Sequence, residues 1–307
     1  MAVFLSTLNQ MAVLAIFILA GFVCQRIKLL PETTATVLSR LETYLIMPAY
    51  ILNTFIANCT PEVIEQKLPL LLWGSVVAVL CVAIAYPLGR AFYKEQPLKN
   101  IYRYSVAIAN AGFMGNAVML GVFGDEMLFD YMIFMMPLYV VIYTWGMVML
   151  MPSGGEHKNP LRNLINPVCI SLALGVIIGI SSIPLPGFVT TVLSNTGSCM
   201  APLAMLLTGF TVGQYSVKKL LSDKKVYIVS VLRLLVIPAF FAGVLTLLKM
   251  DAAYMPLAVC SVAMPMGLNT VVIPAAYGED TSPGASMALI SSVLSIVTIP
   301  LVFAVLL

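Results

Sequence analysis

Tyr254–Asp280 reads YMPLAVCSVAMPMGLNTVVIPAAYGED, a stretch long and apolar enough to cross a membrane but with helix breakers at its centre. Pro265 removes a backbone donor and clashes with the preceding turn, and Gly267 lowers the helix propensity beside it. Asn269 and Thr270 follow, and residues of these types suit the N-cap of a new helix. In hydrocarbon, a broken backbone is tolerated only where protein or a water-filled cavity surrounds it. The stretch therefore predicts an unwound membrane helix that lines a binding site.

A second stretch of the same kind lies earlier, where residues 102–126 read YRYSVAIANAGFMGNAVMLGVFGDE. Its FGDE aligns with the later YGED, from residue 123 to residue 277, an offset of 154. The alignment places Asn110-Ala111-Gly112 on Met264-Pro265-Met266, and Gly115-Asn116 on Asn269-Thr270. Interrupted hydrophobic segments at corresponding positions of two halves indicate the binding site of a transporter.

The composition indicates an integral membrane protein. Hydrophobic residues make up 61% of the chain and charged residues only 9%, with a mean hydropathy of +1.01. A soluble domain would carry roughly a quarter charged residues. No nucleotide-binding motif or soluble domain is present, so the lipid bilayer is the expected partner and nucleic acid is not.

Ten apolar stretches each approach the roughly 20 residues that span a bilayer. They lie near 5–24, 36–57, 69–92, 102–122, 128–151, 165–182, 188–213, 226–248, 254–276 and 285–306. The longest polar interruption, 152–163, is interpreted as a linker between a first half at 1–151 and a second half at 164–307.

The basic residues predict the orientation. Fourteen of the 16 lysines and arginines lie in or near the odd-numbered loops, which leaves Lys67 and Lys249 on the other side. By the positive-inside rule, the odd-numbered loops are cytoplasmic and both termini lie outside the cell membrane. Five spans per half make the repeat inverted, and a second match, of residues 30–39 with 185–194, supports this interpretation.

The residues at the two breaks are the candidate substrate-binding residues. Free N–H groups and the positive dipole end of each second half-helix suit a carboxylate. Glycine would allow close approach of the backbone, and asparagine and threonine would supply directional hydrogen bonds. The alternative is that these side chains only join helices to each other. The candidates are Asn110, Gly112, Gly115, Asn116, Pro265, Gly267, Asn269 and Thr270.

Few other residues could carry chemistry. Glu42 is a candidate protonatable coupling group outside the two breaks. Arg233 lies near a cytoplasmic helix end, where its side chain is expected to reach the membrane boundary. Pro48 and Pro202 recur in both halves, either as kinks or as gating residues beside the breaks. No spacing of cysteines or histidine suggests a catalytic or metal site, and no cofactor is expected beyond coupling to a proton or sodium.

Three segments resemble the auxin efflux carrier family. Residues 110–115, NAGFMG, resemble its fourth-helix motif, and residues 264–269, MPMGLN, with Tyr277-Gly278 resemble its ninth-helix crossover. Residues 38–50 and 202–209 also resemble its second and seventh helices, so the likeness covers essentially the whole chain. One difference is Ala117, which stands where the family usually has proline.

The resemblance implies an all-α fold of ten transmembrane helices in two inverted five-helix repeats, akin to bile-acid symporters and sodium/proton antiporters. Broken helices 4 and 9 would cross. Helices 1, 2, 6 and 7 would form a scaffold domain, and helices 3–5 and 8–10 a transport domain, often in a homodimer. Family members move organic anions such as auxin, malate or malonate, and the short linker resembles the bacterial branch.

Three functional hypotheses remain open, and none is an enzyme. The first is a secondary transporter of a small carboxylate. The second is a non-transporting membrane receptor on the same fold. The third is a sodium-coupled symporter of bulkier amphipathic anions, which would require an oxygen-rich ion site.

Overall fold

The computed structural model describes residues 1–151 and 160–307, and in these ranges helices are joined by turns and short loops, with one isolated backbone bridge between Ala109 and Met266. Most of the predicted linker at 152–163 lies outside the described residues. The described helices divide into a first half before this segment and a second half after it.

The first half begins with the long helix α1 and contains three π-helical turns. The helices are α1 (Ala2–Arg26), α2 (Thr34–Leu41), α3 (Met47–Asn58), α4 (Pro61–Phe92), α5 (Leu98–Ala107), α6 (Asn116–Val141) and α7 (Met147–Leu150). The π-helical turns are Glu42–Ile46, Ala111–Gly115 and Ile142–Gly146, and they continue directly into α3, α6 and α7.

The second half contains shorter helices and one more π-helical turn, at Leu232–Val236 between α12 and α13. The helices are α8 (Pro167–Ile180), α9 (Gly187–Ser198), α10 (Met200–Gly213), α11 (Val217–Leu220), α12 (Lys224–Val231), α13 (Ile237–Leu247), α14 (Met255–Ala263), α15 (Asn269–Ala276) and α16 (Ser282–Leu306). Short 3₁₀ turns lie at Pro160–Leu164 and Ala252–Tyr254.

Local sequence explains several helix ends. The Asn166 side chain accepts hydrogen bonds of 3.0 Å from the backbone N–H groups of Val168 and Cys169, and so caps α8. Gly124, inside α6, has φ +84°, and Gly278, just after α15, has φ +73°. Both positive angles are readily adopted only by glycine, and the two residues occupy aligned positions of the repeated FGDE and YGED segments.

Six helices in the described ranges are long and apolar enough to cross a membrane, which fits an integral membrane protein. They are Val3–Arg26, Pro61–Phe92, Ala111–Leu150, Gly187–Gly213, Lys224–Leu247 and Ser282–Leu306. The count is smaller than the ten predicted spans for three reasons. Ala111–Leu150, 40 residues long, covers parts of two of them, Pro167–Ile180 and Ala252–Ala263 are shorter apolar helices, and the second predicted span, 36–57, is not among the six. Large hydrophobic side chains cover much of the exterior, as a lipid-facing surface requires.

Close packing holds the helices together. Helix α1 packs along α10, where Gly21 meets the backbone of Leu206 and Gly209 meets the backbone of Ile18, so that neither position has room for a larger side chain. Helix α3 packs against α8 and α9, and α4 packs against α5 and α6. Helix α16 lies against α12, α14 and α15.

Candidate functional site

Both quoted segments are interrupted in the structure, and the interruptions are bonded to each other. Helix α5 ends at Ala107 and α14 ends at Ala263, and the chain resumes a helical course at Ala111 and Asn269. The backbone N–H of Asn110 donates a 2.8 Å hydrogen bond to the carbonyl oxygen of Pro265. Together with the bridge between Ala109 and Met266, this bond joins the two breaks through their backbones.

The breaks leave backbone donors free. The Met266 N–H donates to Ser291 Oγ at 3.0 Å, which satisfies one of them. In the described part of the chain, the N–H groups of Phe113 and Leu268 have no backbone acceptor. Each lies at the start of a helical segment, where the dipole presents its positive end. The arrangement therefore suits an electron-rich group placed between the two segments.

A cavity of about 220 Å³ opens at the joined breaks, and Asn110, Gly112, Gly267 and Asn269 line it. The Asn269 amide Nδ2 donates a 2.7 Å hydrogen bond to the hydroxyl of Tyr104, which also lines the cavity. The Asn110 side chain makes no hydrogen bond to any described residue, so its amide is available to an occupant. The other polar lining residues are Ser39, Glu42, Thr43, Tyr139, Tyr143 and Thr208.

Glu42 belongs to this cavity, although the sequence placed it outside the two breaks. It begins the π-helical turn Glu42–Ile46 and is only 1% exposed. Neither carboxyl oxygen has a hydrogen-bond partner among the described residues. A buried polar group normally has such a partner, so we expect Glu42 to form a hydrogen bond with a molecule bound in the cavity.

Four of the predicted binding residues face other parts of the protein. Gly115 lies under the hydroxyl of Tyr131, which donates to the carbonyl of Ala111, so a side chain there would collide with that hydroxyl. Thr270 is fully buried, and its hydroxyl donates to the Gly267 carbonyl at 3.1 Å. The face of a short helix that meets its neighbours depends on tertiary packing, which the sequence motif does not encode.

The other two contribute differently from the prediction. Asn116 is fully buried beside the Tyr139 hydroxyl and does not line the cavity. Pro265 is buried and contributes its carbonyl to the bond with Asn110, while its ring stays out of the cavity lining.

Pro48 and Pro202 are half-buried and do not line the cavity. Pro48 follows the π-helical turn that carries Glu42, and Pro202 lies near the start of α10, just after the junction with α9. Both therefore lie beside helix irregularities, as expected for residues that lack a backbone donor. Whether they gate the site stays a prediction.

Arg233 does not reach the boundary of the protein, so the expectation that it does is wrong. Its side chain is 0% exposed, and Nη1 donates a 2.7 Å hydrogen bond to the carbonyl oxygen of Val106, in the last turn of α5. Nε and Nη2 have no hydrogen-bond partner in the described residues. A cation at a helix C-terminus is favourable, so Arg233 stabilises the end of α5 next to the first break. Arg40, by contrast, is exposed.

The sequence interpretation missed Tyr104 and Tyr139 as lining residues. A signal for Tyr104 was present, because a tyrosine six residues before Asn110 is a polar side chain close to the break. It also missed the burial of Arg233. The sequence signal for this burial is that Arg233 lies inside an apolar segment and is followed a few residues later by a proline, Pro238. Glu42 and Pro48 show the same pattern.

The long apolar helices fit an integral membrane protein, and the comparison with known families shows its class. A sequence model of the family described as membrane transport protein matches residues 6–160 and 156–303. The chain therefore belongs to that family, which contains the carriers of the auxin efflux type, and the resemblance in the sequence is confirmed.

Two relatives are similar over nearly their whole length. A protein of Methanothermobacter thermautotrophicus is 24% identical over 300 residues, which cover 97% of this chain and 98% of the relative. A protein of Methanocaldococcus jannaschii is 25% identical over 305 residues, which cover 96% of this chain and 97% of the relative. Both are described as uncharacterized transporters.

Proposed function

We propose that this protein is a secondary transporter that carries a small carboxylate across the cell membrane by alternating access. The observation that carries the proposal is the cavity at the joined breaks, where unpaired backbone donors and the amides of Asn110 and Asn269 converge. Membership of a transport family supports movement of a solute. Broken helices near the midplane are the usual binding elements of secondary transporters.

The hydrogen-bond donors at the cavity favour an anionic substrate. Among the described residues, no lysine or arginine lines the cavity, so an anion would be held by N–H groups, the Asn110 amide and helix dipoles. The terminal oxygens of a carboxylate accept several such hydrogen bonds at once.

The size of the cavity favours a small substrate. The cavity measures about 220 Å³. Sites for larger organic ligands usually measure about 300–1,000 Å³. A mono- or dicarboxylate of a few carbon atoms therefore fits better than a bulky amphipathic anion.

The proposed architecture is ten spans in two inverted repeats, with the broken segments crossing. Two observations support it: positive φ at the aligned glycines Gly124 and Gly278, and the backbone bonds between the two breaks. The packing of α1 on α10 and of α3 on α8 agrees with a scaffold of helices 1, 2, 6 and 7. A homodimer and extracellular termini stay predictions of this architecture.

In this topology the cavity faces one side of the membrane. Its lining residues come from the parts of each predicted span nearest the odd-numbered loops, such as Thr43 in the second, Tyr143 in the fifth and Ile273 in the ninth. Because those loops hold most of the basic residues, the side is the cytoplasm. We infer that the structure represents an inward-facing state.

A thermal-shift screen of purified protein against mono- and dicarboxylates, with and without sodium, would identify the substrate class. The carboxylate that raises Tm most is then tested for flux in proteoliposomes. Saturable flux supports the proposal, whereas binding without flux indicates a receptor. A shift that requires sodium, seen only with bulky anions, favours the sodium-coupled symporter.

A further inference from the structure

Glu42 presents an electrostatic conflict with the proposed anion. Its carboxyl group lines the cavity, is 1% exposed and has no hydrogen-bond partner among the described residues. If Glu42 were ionised, a bound carboxylate would share a small apolar cavity with a second negative charge. Like charges at close range in a poorly solvated site repel strongly.

No neighbouring cation in the described part of the chain resolves the conflict. The π-helical turn of Glu42 packs against α2, α3, α8, α9 and α10. Neither α9 nor α10 carries an ionisable side chain, and Arg40 on α2 is exposed. The ion pair between Lys67 and Asp130 is the one found within the described residues, and neither partner lines the cavity. The ionisable groups nearest in the structure are Tyr50 on α3, Cys169 on α8, and Tyr104, Tyr139 and Tyr143 across the cavity.

Protonation of Glu42 removes the repulsion between its carboxyl group and a bound carboxylate. A protonated carboxyl group carries no charge and has one O–H donor, for which the described residues offer no acceptor. A carboxylate in the cavity would supply that acceptor, and an O–H donor to a carboxylate oxygen forms one of the stronger hydrogen bonds in proteins. The same bond would satisfy Glu42, which is otherwise buried without a partner.

We propose that Glu42 is a substrate-binding residue in its protonated form, so that each carboxylate enters the cavity together with one proton. This inference rests on the proposed function and adds that transport is coupled to protons. The proton comes from the aqueous side to which the cavity is open and resides on a Glu42 carboxyl oxygen while the anion is bound. In the same cavity, the Asn110 amide and the backbone N–H groups hold the remaining oxygens of the anion.

The test is the affinity for the carboxylate chosen by thermal shift, measured by calorimetry between about pH 6.5 and pH 9, where small carboxylic acids remain largely ionised. Binding that requires one proton loses affinity by about tenfold per pH unit once Glu42 ionises in the empty cavity. In Glu42→Gln, the amide keeps a donor and carries no charge, so its affinity should change little with pH. Asn116→Gln serves as a control because Asn116 is buried outside the cavity, and it should keep the wild-type pH profile.

A second measurement uses the wild-type protein alone. Addition of the carboxylate to weakly buffered protein near about pH 9, the end of the range at which Glu42 is most ionised in the empty cavity, should withdraw up to one proton per bound anion from solution, reported by a pH-indicating dye. Binding with no proton uptake, or with the same pH profile in wild type and Glu42→Gln, would overturn the inference and leave the proposed function standing. If carboxylate binding depends on sodium and not on protons, the inference is wrong, and a bound sodium ion takes the place of the proton at Glu42. A wild-type protein that binds no carboxylate at any pH would overturn both.

Discussion

The backbone N–H of Asn110 donates to the carbonyl oxygen of Pro265 at 2.8 Å, and this bond and the bridge between Ala109 and Met266 join two segments that lie more than a hundred residues apart. Because Asn110 begins a new helical segment, its N–H would otherwise be unsatisfied. Because Pro265 follows the last turn of α14, its carbonyl also lacks a helical partner. Each break therefore satisfies the other, and Phe113 and Leu268, whose N–H groups have no backbone acceptor, line the cavity between them.

Asn110→Ala should weaken carboxylate binding by about 1–3 kcal/mol, the range for a buried polar group that loses its partner. The side chain lines the cavity without a hydrogen bond to described residues, so the fold should lose little. Calorimetry and Tm on the same purified protein check both parts. Asn116→Ala is the matched control, because it should lower Tm and leave affinity nearly unchanged. The reverse pattern would show that Asn116 holds the substrate.

Pro265→Ala tests whether proline keeps α14 from continuing. Proline disfavours a helix interior by about 3 kcal/mol relative to alanine, whereas each hydrogen bond at the break contributes about 0.5–1.5 kcal/mol. The variant should therefore drift toward a continuous helix, with unchanged or higher Tm and weaker carboxylate binding. Ser291→Ala removes the acceptor of the Met266 N–H. Combined with Pro265→Ala in a double variant, it should weaken carboxylate binding further.

Pro256→Ala is the control for this series, since Pro256 lies in the first turn of α14, where the missing donor costs nothing. It should change neither affinity nor Tm by much. If Pro265→Ala binds as tightly as the wild type, the breaks are held open by tertiary contacts alone.

Arg233→Leu should lower the free energy of unfolding by about 1.5–3 kcal/mol, the range for a hydrogen bond to a charged group. The loss arises because the Val106 carbonyl loses its donor and the end of α5 loses its cation. Tm of the purified protein measures it, with the exposed Arg40→Leu as the control. A variant as stable as the wild type would show that the desolvation of Arg233 cancels what its bond contributes.

The inward-facing assignment predicts side-specific access. In a background without the six native cysteines, Thr43→Cys should react with a membrane-impermeant thiol reagent from the cytoplasmic side, and carboxylate should slow the reaction. Ser181→Cys, at the outer end of the sixth predicted span, should react only from outside. Labelling of Thr43→Cys from outside alone would reverse the proposed orientation.

Much of the site was predictable because it depends on local backbone chemistry. Pro265 and Gly267 disfavour helix wherever they occur, and the repeat of the YGED segment pointed to the partner break near Asn110. The structure adds what depends on the face that each helix turns to its neighbours. Glu42 reaches the cavity from a different segment, and Gly115 packs under Tyr131 instead of facing the cavity.

The direction of the Arg233 side chain is another feature that the sequence did not predict. Position along a span suggested a side chain that reaches water, because long basic side chains near helix ends usually do so. Whether it does is decided by the surrounding helices, and in this protein they enclose it completely. A charge near the end of an apolar segment therefore predicts an important position but not the direction of its side chain.

The central claim is that the cavity at the joined breaks carries a carboxylate across the membrane. The most direct measurement is flux of the radiolabelled carboxylate in proteoliposomes that contain equal amounts of folded wild type or Asn110→Ala. We expect saturable flux by the wild type, with affinity reduced by about tenfold or more in the variant, which corresponds to about 1.4 kcal/mol. Equal flux with equal affinity in both proteins, or no carboxylate flux by the folded wild type, would contradict the claim.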